Sequence, residues 1–199
     1  MSGQSSGARQ QDSAAKGNNS YALGVIGTGV MGTALVKGIV GARVVRPGQI
    51  IAFDVNERYL ADLCTTTGVT AAADNEEVVR CCGMVLLAVK PQVLEAVLLP
   101  LKDAWRRDHL LISIAAGVTI KRLQSLTRDS LAVARVMPNL LCTVGEAASG
   151  VAFSEQVSQR QQAWVLKLLG AVGTAVRVEE KLMDAVTALA GSGPAFVAL

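Results

Sequence analysis

The sequence predicts an α/β protein built on a doubly wound parallel sheet, followed by the start of an all-helical domain. Three observations predict the sheet. Short apolar strands alternate with helical segments along most of the chain, and a glycine-rich turn joins the first strand to the first helix. The third observation is composition, since hydrophobic residues make up 51% of the 199 residues and aromatic residues only 4%. An aliphatic core of this kind suits strands that are covered by helices on both faces.

The alternation of strands and helices can be followed along the chain. Short continuous apolar runs predict buried strands at residues 22–26, 50–53, 69–71, 84–89, 110–114 and 132–136. Between them we predict helical segments at residues 33–40, 58–66, 75–81, 92–105 (with a break at Pro100) and 120–126. Strand–helix–strand units make right-handed crossovers, which give a parallel sheet. After Pro138 the spacing changes, and we predict strands at 149–153 and 175–178, a long helix at 155–169 and a new helical segment from Glu180.

The two ends of the chain differ from its middle. Residues 1–20 are small and polar, so we predict a disordered tail before an ordered domain at residues 21–179. The tail lacks the apolar core of a secretory signal, which favours a cytoplasmic protein, and its basic residues leave a mitochondrial presequence as the alternative. Residues 180–199 are interpreted as the beginning of a helical domain. Their apolar finish has no helix cap, which predicts that the chain is cut short.

Charge, cysteine content and hydropathy exclude several classes of function. A net charge of +3 is too small to indicate a nucleic-acid or acidic membrane partner, and no apolar run is long enough to span a membrane. The four cysteines form no CxxC pair and are expected to be reduced thiols. His109 is the one histidine, so we expect no metal site. We predict that His109 is a solvated loop residue, with a catalytic role as the alternative.

The glycine-rich turn is the motif that carries chemistry. It has the spacing G-x-G-x-x-G and consists of Gly27, Thr28, Gly29, Val30, Met31 and Gly32. It follows an apolar strand and opens a helix, the context in which this spacing indicates a Rossmann-type dinucleotide site. The first glycine allows the tight turn, the second admits the pyrophosphate, and the third lets helix and strand pack closely. Free N–H groups at the helix start then face the phosphates. A tight turn without a ligand is the alternative.

An acidic residue ends the second predicted strand. Asp54 follows Gly32 by 22 residues, where a dinucleotide-binding domain places an acid to accept hydrogen bonds from the adenosine ribose. A carboxylate there would repel the 2′-phosphate of NADPH, whereas the nearby Arg58 would attract it. The alternative role for Asp54 is a helix N-cap, because Asn56 and Glu57 follow.

Two further turns follow predicted strands. Ligands of open parallel sheets bind at the carboxyl ends of the strands, so both turns are expected to line the same cleft. The first contains Val89, Lys90 and Pro91, and the second is Ala115-Ala116-Gly117, whose small side chains leave room for a flat ring. A solvated lysine and plain tight-turn packing are the respective alternatives.

With these motifs placed, the chain resembles the pyrroline-5-carboxylate reductase family from Leu23 to Leu199. The resemblance is carried by five segments in order: GVIGTGVMGTALVKGI, LLAVKPQ, ISIAAGVTI, RVMPNLLCTVGEAASG and DAVTALAGSGPAFV. It implies a Rossmann-type domain and a C-terminal helical domain that dimerises, so the protein would be a homo-oligomer if that domain were complete. It also implies reduction of 1-pyrroline-5-carboxylate to L-proline, the last step of proline synthesis, by hydride transfer from NADPH or NADH to the C=N carbon.

The resemblance also implies site residues. Family cofactor contacts fall on the six residues of the glycine turn, on Asp54, on Asn75, and on the turns Ala88, Val89, Lys90, Pro91 and Ala115, Ala116, Gly117. A helix N-cap is the alternative role for Asn75. Substrate-proximal positions are Met137, Asn139, Ser192 and Pro194. The family's substrate loop would follow Leu199, so no catalytic residue is predicted within this sequence.

Two other interpretations remain open at this point. One is another reductase with a similar N-terminal half, a 3-hydroxyacid dehydrogenase or a deazaflavin-dependent NADP reductase, against which the segment DAVTALAGSGPA argues. The other is a non-catalytic dinucleotide-binding fragment.

Overall fold

The computed structural model describes residues 20–191 and contains an eight-stranded sheet in the order β3-β2-β1-β4-β5-β6-β7-β8. The strands are β1 Leu23–Ile26, β2 Ile50–Phe53, β3 Thr70–Ala71, β4 Met84–Leu87, β5 Leu110–Ser113, β6 Ala132–Met137, β7 Ala147–Phe153 and β8 Gly173–Arg177. All neighbouring strands are parallel except β6 and β7, which pair antiparallel. The predicted doubly wound α/β fold is therefore confirmed, with one reversed step after β6.

The chain winds outward in two directions from the centre of the sheet. Strand β1 pairs with β2 on one side and with β4 on the other. The crevice between the carboxyl ends of β1 and β4 is thus the topological switch point, where such folds bind ligands.

Helices cover both faces of the sheet. The α-helices are α1 Val30–Gly41, α2 Glu57–Thr67, α3 Asn75–Cys81, α4 Leu94–Leu98, α5 Ile120–Leu126, α6 Gln159–Leu169 and α7 Met183–Val186. Short 3₁₀ helices span Pro47–Gln49, Pro91–Val93, Leu99–Ala104, Leu140–Val144 and Glu180–Leu182, and a π-helical turn spans Thr187–Gly191. Buried aliphatic residues of α1, α2 and α6 pack on one face of the sheet, and those of α3, α4, α5 and α7 pack on the other.

Two predicted helices differ most from the structure in their bounds. The helix predicted at 155–169 begins only at Gln159, because Ser158 caps it: the Ser158 hydroxyl accepts the N–H of Gln161, and the Gln161 side chain accepts the N–H of Ser158. The segment predicted at 92–105 is α-helical only in α4, and the break expected at Pro100 is present as a 3₁₀ helix. Proline lacks the N–H that an α-helix needs there.

The prediction of a solvated His109 is wrong, because this side chain is 0% exposed. Its ring lies edge-on to Trp105 with a centroid separation of 5.9 Å, and its Nδ1 accepts the N–H of Arg106 at 3.3 Å. Burial, with a smaller contribution from the nearby Arg106 guanidinium, lowers the pKa of His109 to about 4. His109 precedes the first residue of β5, at the edge of the sheet opposite the carboxyl ends. That position also contradicts the alternative of a catalytic role.

Some predictions concern residues outside the described part of the chain. These are the disordered tail, apart from Ser20, and the apolar finish at 195–199. The predicted boundary at 179/180 stays a prediction, although residues 180–191 pack on the sheet through the buried Met183. No helix within residues 20–191 is long and apolar enough to cross a membrane.

Candidate functional site

The glycine turn needs its first and third glycines for steric reasons. Gly27 has φ +95°, a conformation that side-chain-bearing residues rarely adopt, and a Cβ there would lie 2.7 Å from the carbonyl oxygen of Ala88. A Cβ at Gly32 would overlap the carbonyl oxygen of Gly27. The turn is therefore packed directly against the residue that follows β4.

Gly29 has a different environment from the other two. No atom lies within 4 Å of the position that a Cβ would occupy, so the space outside Gly29 is open. Gly29 is also the N-cap of α1, and no side chain bonds to the helix start. The first N–H groups of a twelve-residue helix therefore lie at an uncapped, open terminus. This arrangement fits an anionic ligand such as a pyrophosphate.

Asp54 is bonded to the glycine turn. Its Oδ2 accepts the backbone N–H of Thr28 at 2.6 Å and the Thr28 hydroxyl at 3.2 Å. Its Oδ1 accepts the N–H of Asn56 at 2.8 Å. The alternative role of helix cap is wrong, because the N-cap of α2 is Asn56, whose side chain accepts the N–H groups of Arg58 and Tyr59. The carboxylate is thus held at the carboxyl end of β2 with acceptor capacity remaining.

Asn75 lies after the neighbouring strand β3 and carries an orphaned acceptor. The N-cap of α3 is Asp74, which accepts the N–H of Glu77, so the alternative role of Asn75 as a cap is also wrong. Within residues 20–191, the Oδ1 of Asn75 is buried and has no hydrogen-bond partner. A buried polar atom without a partner is costly unless a ligand or water satisfies it. This observation fits a group that donates hydrogen bonds, such as a sugar hydroxyl.

The other predicted turns lie at the ends of β4 and β5. Ala88 packs on the glycine turn, Lys90 is exposed, and Pro91 opens a 3₁₀ helix. Gly117 has φ +73°, and no atom lies within 4 Å of its Cβ position. Because β4 pairs parallel with β1 and β5 pairs parallel with β4, the sheet places both turns along the same edge as the glycine turn.

The predicted substrate-proximal residues divide into two groups. Met137 ends β6 and is partly buried, and a Cβ at Gly191 would lie 2.8 Å from its Cε. Asn139 is buried and has a structural role, since its Oδ1 accepts the N–H of Ala148 at 3.2 Å. Ser192 and Pro194 lie outside the described residues.

A cavity of about 730 Å³ opens at the glycine turn and extends between α1, α2 and the 140–144 helix. It includes Thr28, Gly29 and Val30 but none of the residues of the 88–91 or 115–117 turns. Sequence reasoning missed its polar lining residues Lys37, Tyr59 and Asp62. They lie on the outward faces of α1 and α2, where the helical period alone predicts solvated side chains. No group of three metal-ligating side chains occurs in the described part of the chain.

The fold and this edge together define a Rossmann-type domain with an open glycine-rich turn. A family model described as "NADP oxidoreductase coenzyme F420-dependent" matches residues 22–117. The pyrroline-5-carboxylate reductase of Methanosarcina acetivorans is 46% identical over 175 residues, which cover 88% of this chain and 65% of the relative. That of Synechocystis sp. is 41% identical over 180 residues, which cover 90% of this chain and 67% of the relative.

A solved structure agrees with these relatives. The crystal structure of Plasmodium falciparum pyrroline carboxylate reductase with NADP bound superposes with a TM-score of 0.81 at 30% identity, and covers 91% of this chain and 66% of that one. The chain therefore belongs to the pyrroline-5-carboxylate reductase family. It spans about two thirds of the length of the relatives that it matches.

Proposed function

We propose that this chain is the dinucleotide-binding part of a reductase that converts 1-pyrroline-5-carboxylate to L-proline with NADPH or NADH. The observation that carries the proposal is the open, uncapped start of α1 at Gly29, with Asp54 fixed beside it. Family membership supplies the substrate class. A reduced nicotinamide, when bound, supplies the hydride for the imine carbon.

Each predicted cofactor residue has a role in this proposal. The N–H groups that follow Gly29 hold the pyrophosphate, helped by the positive end of the α1 dipole. Asp54 and Asn75, at the ends of adjacent strands, accept hydrogen bonds from the adenosine ribose. The turns at 88–91 and 115–117 flank the nicotinamide, and Met137 borders the substrate.

The fixed carboxylate of Asp54 favours NADH over NADPH. A 2′-phosphate on the ribose would bring a second negative charge close to an acid that the Thr28 N–H holds in place. Arg58 has the opposite effect, and the balance between the two residues determines the preference.

The described residues contribute position rather than acid–base chemistry. Lys90 and Asp54 are the charged side chains among the predicted cofactor residues, and no proton donor to the imine nitrogen is assigned. Self-association through the helical domain and a cytoplasmic location remain predictions from the sequence.

The experiment is a pair of measurements on the 199-residue chain. Calorimetric titration with NADH and NADPH tests binding, and oxidation of the bound dinucleotide in the presence of 1-pyrroline-5-carboxylate tests turnover. Binding with turnover supports the reductase. Binding without turnover supports the dinucleotide-binding role alone, and absence of binding contradicts the proposal.

A further inference from the structure

The site residues described above do not explain an ion pair near the same edge of the sheet, between a buried arginine and a partly exposed glutamate. Arg135 lies within the otherwise apolar strand β6 and is 5% exposed. We infer that Arg135 and Glu180 are positioning residues that hold the turn between β5 and α5, and with it the nicotinamide end of the dinucleotide site. This inference rests on the proposed function.

One carboxylate oxygen joins two separate elements. The Oε1 of Glu180 accepts a hydrogen bond from the Nη1 of Arg135 at 3.2 Å and from the backbone N–H of Ile120 at 2.7 Å. Ile120 is the first residue of α5. The Nη2 of Arg135 also reaches Asp184 at 3.4 Å, but Asp184 is almost fully exposed, so its interaction is well screened. Glu180 is therefore the main partner of the buried guanidinium.

The turn between β5 and α5 lacks packing contacts at its central residue, Gly117. At one end, the N–H of Ile114 bonds to Leu87 at 3.1 Å, and that of Ala115 bonds to the Ser113 hydroxyl at 3.3 Å. At the centre, Gly117 is in the left-handed conformation and has open space around it. The far end is anchored by the Thr119 cap and by Glu180. The path of the open centre therefore depends on its two anchors.

Glu180 begins the segment 180–191, which returns across β6 and β7. This segment buries Met183, and a Cβ at its Gly191 would lie 2.8 Å from the Cε of Met137. A shift of Glu180 would move the 115–117 turn and the Met137 contact together. Both flank the proposed nicotinamide position, whereas the glycine turn and Asp54 share no contact with Glu180 in the hydrogen bonds described.

A buried guanidinium is expensive to keep, because removing it from water costs several kcal/mol that only well-placed partners offset. A second ion pair, between Arg122 of α5 and Glu95 of α4, is half-exposed on both sides. It provides a matched control that involves the same helix, since exposed pairs of this kind contribute little.

The test separates the two halves of the dinucleotide. Dissociation constants of NADH and of ADP-ribose, which lacks the nicotinamide, are measured by calorimetry for the wild type and for Glu180→Ala, Glu180→Gln and Glu95→Ala. We expect Glu180→Ala to weaken the binding of NADH about tenfold, or by about 1.4 kcal/mol. The binding of ADP-ribose should weaken less than about twofold. Glu180→Gln keeps an acceptor for the Ile120 N–H and restores most of the loss. Glu95→Ala should leave the affinity for both ligands unchanged.

Equal weakening of both ligands by Glu180→Ala, or no weakening of either, would overturn the inference while leaving the proposed function intact. A wild type that binds neither ligand would instead overturn the proposed function itself. Thermal melting of each variant shows whether the fold is retained. If Glu180→Ala does not fold, the two ligands are compared with Glu180→Gln, whose smaller loss of affinity must still fall on NADH rather than on ADP-ribose.

Discussion

Asp54 and Thr28 are joined by two hydrogen bonds across 26 positions of sequence, from the Thr28 N–H at 2.6 Å and from its hydroxyl at 3.2 Å. These bonds tie the end of β2 to the glycine turn that ends β1. Because charge-assisted hydrogen bonds are stronger than neutral ones, the carboxylate has a defined position before any ligand arrives. The proposed discrimination between a ribose hydroxyl and a phosphate requires an acid that is fixed in this way.

The first prediction concerns the open space at Gly29. Gly29→Val places a branched side chain where the pyrophosphate is proposed to lie, and we expect at least a hundredfold weaker NADH binding, or about 2.7 kcal/mol. The fold should be little affected, because no atom lies within 4 Å of the new Cβ. Gly41→Val is the control, since Gly41 ends the same helix and is equally unobstructed. Unchanged NADH affinity in Gly29→Val, measured by calorimetry, would contradict the site assignment.

The second prediction concerns cofactor preference. In Asp54→Ser the negative charge is removed while a hydroxyl remains to bond with the glycine turn. We expect weaker NADH binding and tighter NADPH binding, each by about three- to tenfold. Asp103→Ser, an exposed acid on the 99–104 helix, controls for net charge. The idea fails if wild-type protein already binds NADPH at least about tenfold more tightly than NADH, a result that would assign control of the pocket to Arg58.

The third prediction is a pH dependence of stability that arises from His109. Its folded pKa of about 4 is below its usual value of 6.5, so between these values the unfolded chain binds the proton more readily than the folded one. The contribution of the neutral His109 to the stability of the folded state is therefore fully present above pH 6.5, and it is lost as the pH falls toward 4. The full shift corresponds to roughly 3 kcal/mol.

The variant His109→Gln isolates this effect, because His109 is the one histidine in the sequence. Gln keeps an acceptor for the N–H of Arg106 but does not titrate. Urea unfolding between pH 4 and pH 7 should give a shallower pH slope for the variant, while carboxylates contribute to both proteins alike. Identical slopes would show that His109 is not responsible.

Local sequence patterns predicted most of the fold. β2, α3 and α5 have the predicted bounds, because apolar runs and caps such as Thr119 are signals within a few residues of the element. The 3₁₀ helix at Leu140–Val144 was not predicted, since its apolar residues Leu140 and Val144 are exposed and follow no helical period. The prediction for His109 was wrong because its burial depends on tertiary contacts with Trp105 and with the start of β5. The charged residues that precede it in the sequence indicate a solvated loop instead.

Site residues that are close together in the sequence could be predicted, and those that meet only through tertiary packing could not. The glycine turn is a contiguous motif, so the sequence alone was enough to propose all six of its residues. The pair of Arg135 and Glu180 is separated by 45 positions and depends on tertiary packing. One signal was present: an arginine inside the apolar strand Ala132–Met137 needs a partner, although the sequence does not say which.

The fourth prediction concerns the contact that seats α7 on the sheet. A Cβ at Gly150 in β7 would lie 2.7 Å from the Cγ1 of Val186 at the end of α7, closer than real Cβ contacts. Gly150→Ala should therefore push α7 outward and lower the free energy of unfolding by about 1–3 kcal/mol. Because Glu180 and Met183 belong to the same returning segment, the shift should also weaken NADH binding more than ADP-ribose binding.

Removing the obstructing methyl groups distinguishes this steric effect from a general intolerance of β7. In the double variant Gly150→Ala/Val186→Ala the new Cβ no longer meets the methyl groups of Val186. We therefore expect the double variant to be destabilised by at least about 0.5 kcal/mol less than the sum of the two single variants. Val186→Ala alone serves as the control and should cost only the burial that its lost methyl groups provided. Chemical unfolding of the four proteins measures the coupling. Strictly additive effects would show that Gly150 is small for a reason other than its contact with α7.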